Sequence, residues 1–139
     1  MAFFEFVALE CVKQQELFSD EIVIRYGSEQ VFPASGYMKF RKGTVLVNER
    51  SSASKADLSP FLDAPGAVGV HDYPGRLAFL QTEIPTAGLS VRVVEIDWPV
   101  SRNDEIGMIL VSAMGTPGLR TADLRGAGAH YRLTYRVIA

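Results

Sequence analysis

Apolar and polar residues alternate along much of the chain, which is the period of an extended strand. The last segment is the clearest case, because Tyr131, Leu133, Tyr135 and Val137 alternate with Arg132, Thr134 and Arg136. Successive side chains of a strand point to opposite faces, so this pattern predicts a half-buried strand. Similar patterns predict strands over residues 3–12, 22–26, 30–32, 37–40, 44–47, 77–84, 89–98 and 106–111.

Short strands at this spacing, punctuated by Gly, Pro and polar residues, are typical of a β-sandwich. No segment has sustained helical periodicity with a cap at each end. We therefore predict an all-β fold, an antiparallel β-sandwich of about eight strands. Residues 41–43 are predicted to form a hairpin turn between two of these strands, with Gly43 at a positive φ.

Residues 49–75 interrupt the strand pattern, and they are rich in serine, proline and glycine. This composition predicts a long loop insertion, with one short helical turn around residues 56–62. A mobile insertion and a partner-binding loop are both compatible with such a segment.

Length and charge exclude several classes of protein. A chain of 139 residues fits a single domain over residues 1–139, and its net charge of −2 gives no general attraction to nucleic acid. No apolar run approaches the ~20 residues of a spanning helix. The first residues lack the basic flank of a secretory signal, so we expect a cytoplasmic protein, or one exported without a classical signal peptide.

Few residues offer catalytic chemistry. Cys11 is the single cysteine, and its place in an apolar strand predicts a small core residue. His71 and His130 have no catalytic motif beside them. The glycine-rich segment 126–129 leads into a strand and not into a helix, so it predicts a turn built of small residues instead of a phosphate-binding loop. We therefore expect a protein that is not an enzyme.

Acidic residues cluster near the end of the strand predicted over 89–98. Glu95 and Asp97 are two residues apart and project from one face of a strand, and Asn103 and Asp104 follow in the next loop. Calcium takes six to eight oxygen ligands in flexible geometry, so convergence of these side chains would suit it. Asp and Asn also stabilise ordinary turns, which is the alternative interpretation of this cluster.

This stretch resembles the third calcium-binding loop of C2 domains, in which acid-x-acid ends a strand and Asn-Asp-x-hydrophobic-Gly opens the next. The segment Ser19-Asp20-Glu21, which precedes an apolar strand, is similar to the first C2 loop. The resemblance implies a C2-like β-sandwich. It also implies a calcium site with these ligands: Asp20, Glu95, Asp97, Asn103 and Asp104.

Three departures from the C2 pattern imply a weak or vestigial site. Residues 13–16 lack the additional aspartate that the first C2 loop normally carries. Glu95 stands where C2 domains have aspartate. The loop from Asp97 to Asp104 is about one residue longer than usual, so Asn103 and Asp104 compete for one ligand role.

The resemblance predicts a non-enzymatic binding module that docks to a protein partner or to a membrane surface. Lys39, Arg41 and Lys42 would contact an anionic membrane, although basic residues also protect exposed strand edges. Trp98 would insert into the membrane or seal one end of the sandwich. The alternative function is a structural subunit of a larger, self-associating assembly, joined through edge strands and the 49–75 segment.

Overall fold

The structure, a computed structural model, describes residues 1–73, 77–96 and 103–139. Within these ranges it contains eleven strands, two short α-helices and one 3-10 turn. The strands are β1 (Phe3–Lys13), β2 (Asp20–Tyr26), β3 (Glu29–Phe32), β4 (Met38–Phe40), β5 (Thr44–Val47), β6 (Gly66–Gly69), β7 (Gln81–Glu83), β8 (Leu89–Glu95), β9 (Asp104–Val111), β10 (Gly118–Gly126) and β11 (Ala129–Ile138). The helices are α1 (Lys55–Leu62) and α2 (Leu77–Leu80), and the 3-10 turn is Val70–Asp72.

Two sheets pack face to face around one main core. The six-stranded sheet has the order β10-β11-β1-β5-β6, with β7 also paired to β1. The five-stranded sheet has the order β3-β2-β8-β9, with β4 also paired to β2. Alternate residues of the strands are buried between the sheets, among them Phe6, Ile22, Ile24, Val91, Val93 and Leu133. The predicted all-β fold and β-sandwich are confirmed.

The edge strands β9 and β10 lie against each other and close one side of the sandwich. Glycine permits this approach, because a Cβ at Gly126 would be 2.4 Å from the carbonyl oxygen of Ile106. On β9, a Cβ at Gly107 would be 2.7 Å from the Cβ of Leu124. Both contacts are shorter than side chains tolerate, so these two positions need glycine.

The short helical turn predicted around residues 56–62 is confirmed as α1, while the rest of residues 49–73 is more ordered than the predicted loop. The helix α1 begins after Ser54, whose hydroxyl accepts a hydrogen bond from the backbone N–H of Asp57 at 3.1 Å. Strand β6 then returns parallel to β5, which makes the segment an ordered β-α-β crossover. Leu58 of α1 is buried in a second apolar cluster on the outer face of the six-stranded sheet, with Val7, Ala8, Val45 and Val47.

Two further predictions are wrong in detail. Residues 77–84 form α2 followed by the short strand β7 instead of one strand. Residues 41–43 join strands of different sheets, since β4 pairs with β2 and β5 pairs with β1, so they do not close a hairpin. Gly43 has the predicted positive φ, at 92°. No helix in the described ranges is long and apolar enough to cross a membrane.

Candidate functional site

Four of the five predicted metal ligands lie at one end of the five-stranded sheet. Asp20 begins β2, Glu95 ends β8 and Asp104 begins β9, while the exposed Asn103 immediately precedes β9. The strand register brings them together, because Ile22 is opposite Glu95 and Glu95 is opposite Asp104. Asp97, the fifth predicted ligand, lies outside the described residues.

The carboxylate of Asp20 is completely buried and accepts four hydrogen-bond contacts. The backbone N–H of Gln15 lies 2.9 Å from both of its oxygens, and the N–H of Glu16 donates to Oδ1 at 2.9 Å. The Tyr131 hydroxyl donates to Oδ2 at 2.7 Å. Three donors thus make four contacts, because the Gln15 N–H is shared by the two oxygens, and each oxygen has two hydrogen-bond contacts.

Gln15 joins the first predicted calcium loop to the third. Its side-chain Nε2 donates to Oδ2 of Asp104 at 2.9 Å, while its backbone donates to Asp20. Its Oε1 is buried and has no hydrogen-bond donor among the described residues. An acceptor oxygen therefore lies next to the carboxylate of Asp104.

Glu95 is fully buried at the end of the main core. Glu95 is two residues after Val93 and four after Val91 along β8, so it shares their face of the strand. Because both valines belong to the main core, the Glu95 side chain points between the sheets. Among the described residues, no group of three or more His, Cys, Asp or Glu side chains is arranged to hold a metal ion. The calcium site stays a prediction, since it includes Asp97.

Beneath Asp20, two buried groups remain protonated at neutral pH. Burial raises the pKa of the Cys11 thiol to about 11. Burial and the hydrogen bond to Asp20 raise the pKa of Tyr131 well above its usual value. The phenol is therefore a permanent donor to Asp20, and Cys11 is a core residue, as the sequence predicted.

The loop between β1 and β2, residues 14–19, carries two adjacent exposed apolar side chains. Leu17 is 87% exposed and Phe18 is 80% exposed. The loop around them is held in place, because Gln14 Nε2 donates to the carbonyl oxygens of Glu16 at 2.8 Å and of Leu17 at 3.2 Å. We call Leu17 and Phe18 the apolar tip.

A basic turn, Arg41-Lys42-Gly43, lies beside this loop. The backbone N–H of Lys42 donates to Gln14 Oε1 at 2.8 Å, and the N–H of Gly43 donates to the carbonyl oxygen of Cys11 at 2.8 Å. The Arg41 and Lys42 side chains are exposed, as is Lys39, although Lys39 lies opposite Glu21 in the sheet. The apolar tip and two exposed cations therefore share one end of the sandwich.

The apolar tip is a functional candidate that the strand patterns do not reveal. Its sequence signal is an apolar pair within the otherwise polar segment 13–21, directly before a strand. The residue singled out instead as a membrane-inserting candidate, Trp98, lies outside the described residues.

Both histidines are bonded to carboxylates. Nδ1 of His71 pairs with Glu49. Nε2 of His130 pairs with Oδ1 of Asp123 at 2.8 Å, and Arg132 also bonds this carboxylate. The hydrogen bonds from His130 and Arg132 lower the pKa of Asp123. In the strand register, His130 lies opposite Arg125 and Lys13, the residue that ends β1 before the loop of residues 14–19.

No protein-family model matches the chain, and no curated protein matches it. Among solved structures, it is similar to the C2A and C2B domains of extended synaptotagmin 2. The likeness is one of fold. It has a TM-score of 0.45 and 12% sequence identity, and it covers 99% of this chain and 39% of that chain.

Proposed function

We propose that this domain is a non-enzymatic binding module that docks on an anionic membrane surface through the apolar tip and the basic turn. The observation that supports this most directly is the pair of exposed side chains, Leu17 and Phe18, on a hydrogen-bonded loop. Apolar residues that are presented together on an ordered loop, with cations beside them, suit an interface that is apolar below and anionic at its surface.

The size of the interaction fits reversible docking. Burying a leucine or phenylalanine side chain contributes about 1.5–3 kcal/mol. A cation near an anionic surface contributes about 1 kcal/mol, so Arg41 and Lys42 add about 2 kcal/mol. The sum of about 5–8 kcal/mol corresponds to dissociation constants between roughly 0.1 mM and 1 µM. A single domain of this kind would attach weakly and release readily.

Vesicle co-sedimentation tests the proposal. We expect the domain to bind phosphatidylcholine vesicles that contain about 30% phosphatidylserine, and to bind pure phosphatidylcholine less well because the cations lose their partners. Leu17→Ser with Phe18→Ser should weaken binding by roughly a hundredfold or more, since two apolar contacts are lost. Arg41→Gln with Lys42→Gln should weaken it roughly thirtyfold and reduce its salt dependence.

A matched control uses exposed apolar residues at a different place. Leu110 is 66% exposed near the end of β9 remote from Asp104, and Met114 in the following turn is 93% exposed. Leu110→Ser with Met114→Ser should leave vesicle binding unchanged. Equal losses in the two double variants would contradict docking through the tip. Docking would also be contradicted if the domain bound neither kind of vesicle and light scattering showed that it self-associates. That result would favour the alternative function, a structural subunit of an assembly.

A weak calcium site at Glu95, Asp97, Asn103 and Asp104 is a second proposal. It is supported by the pairing of Glu95 with Asp104 and by the buried Gln15 Oε1 beside them. Low-charge calcium sites have dissociation constants near ~10⁻⁴–10⁻³ M. Asp20, the remaining predicted ligand, already has donors on both oxygens.

Calcium at about 5 mM should raise the melting temperature by a few degrees, because a ligand that binds only the folded state stabilises it by mass action. Magnesium should do less, since it dehydrates reluctantly. Asp97→Asn should abolish the calcium increment. Differential scanning calorimetry in calcium and in chelator measures the effect, and identical melting temperatures in both would remove calcium from the proposed function.

A further inference from the structure

We propose that Asp20 is a positioning residue that holds the apolar tip in its docking form without a bound cation. The proposal rests on the docking function above for its binding readout, but not for its structural readout. It departs from the role that the C2 resemblance implies for this residue, which is that of a calcium ligand.

The donors around Asp20 occupy the places that a cation would need. Oδ1 accepts from the N–H groups of Gln15 and Glu16, and Oδ2 accepts from the Gln15 N–H and the Tyr131 hydroxyl. A buried carboxylate is costly unless it is hydrogen-bonded, and these contacts satisfy it. A cation that coordinated Asp20 would have to displace donors that belong to the protein itself.

The donors are also placed where they control the tip. Gln15 and Glu16 immediately precede Leu17, so fixing their backbone fixes the direction in which the tip leaves the sheet. Tyr131 belongs to β11 of the opposite sheet, which ties the loop to both sheets of the sandwich. The tip is therefore preorganised, and less loop ordering is left to be done on binding.

A second set of contacts braces the same loop from the basic turn. Gln14 Oε1 accepts a hydrogen bond from the Lys42 N–H, and Gln14 Nε2 donates to the carbonyl oxygens of Glu16 and Leu17. Asp20 restrains the N–H groups of the loop and Gln14 restrains its carbonyl groups. Removal of Asp20 should consequently loosen the tip while the basic turn stays beside the loop.

Amide hydrogen exchange of the full chain in chelator tests the structural part. In the wild type, the amides of Gln15 and Glu16 should be protected without calcium. Asp20→Asn, which replaces one acceptor oxygen by a donor amide, should speed their exchange at least tenfold. Tyr131→Phe removes one donor and keeps the ring, so it should give a smaller increase and serves if Asp20→Asn fails to fold. Asp123→Asn, which changes an exposed carboxylate on β10, should leave both amides unchanged.

Vesicle binding of the same proteins tests the functional part. Wild-type binding should be equal in calcium and in chelator, and Asp20→Asn should weaken it about tenfold with no recovery on adding calcium. Amides that are protected only in calcium, or exchange that Asp20→Asn does not change, would overturn the role of Asp20. Loop amides that respond as expected in a domain that never binds vesicles would instead support the positioning role and contradict the docking function.

Discussion

Replacing Gly126 by alanine is expected to lower the melting temperature by roughly 10 °C, through a loss of about 2–3 kcal/mol of unfolding free energy. The added Cβ would lie 2.4 Å from the carbonyl oxygen of Ile106 and 3.1 Å from its carbonyl carbon. Both are backbone atoms of β9, so the strand itself has to move. Thermal unfolding followed by circular dichroism measures the effect.

A substitution at the neighbouring residue, Ala127, is a control that should raise the melting temperature instead of lowering it. Ala127 has a φ of 53°, and Gly128 after it has a φ of 81°. A two-residue hairpin turn with both φ values positive favours Asn-Gly, because asparagine adopts the left-handed region more easily than alanine. Ala127→Asn should therefore raise stability by up to about 1 kcal/mol. If Gly126→Ala melts like the wild type, β9 and β10 are not in contact at this point.

The period-two pattern predicted strands well where one face of a strand is buried. The strand over residues 44–47 was predicted at its observed bounds, and the last strand was predicted within two residues at its start and one at its end. Strand β10 was missed because Leu124 is its only buried side chain, and the other positions of the same phase are Gly118, Arg120, Ala122 and Gly126. An edge strand with one anchored residue leaves little apolar signal in the sequence.

Residues 77–84 show a different limit of the same method. A short apolar run has no period that separates a strand from a buried helical turn, so α2 was predicted as strand. The parallel strand β6 was missed for a related reason, since Gly66–Gly69 has almost no side-chain pattern. In both cases the conformation is decided by tertiary packing and not by local sequence.

The candidate site also has features that the sequence predicts and features that depend on tertiary packing. Asp20, Glu95 and Asp104 were predicted near strand ends, although β2 and β9 each begin two residues before their predicted starts and β8 ends at Glu95, three residues before its predicted end. The partner that governs Asp20 was not predictable, since Tyr131 is 111 residues away and contacts it only through the packing of two sheets. Local patterns indicate which groups reach one end of the fold, but not which donors satisfy them there.

The second large effect is expected from Leu58→Ala, which should cost about 2–3 kcal/mol and expose residues 49–73 to proteolysis. Leu58 is 7% exposed and is the buried side chain by which α1 contacts the outer face of the six-stranded sheet. Without it, the helix keeps only the partly buried Phe61 against the second apolar cluster, and the crossover opens locally. In the wild type, limited proteolysis should spare this segment.

Leu62→Ala is the matched control on the same helix. Leu62 is 44% exposed, so its truncation should change the melting temperature by about 1 °C or less and add no cleavage site. A wild-type domain that is first cut within 49–73 would contradict the ordered crossover and return the segment to the mobile loop that its composition suggested. Strand β6 of the crossover begins at Gly66, which lies opposite Thr44 and packs against Gly43 of the basic turn. Below its melting transition, Leu58→Ala should therefore weaken vesicle binding no more than Arg41→Gln with Lys42→Gln does. A loss as large as that of Leu17→Ser with Phe18→Ser, with the fold retained, would mean that the outer face itself takes part in docking.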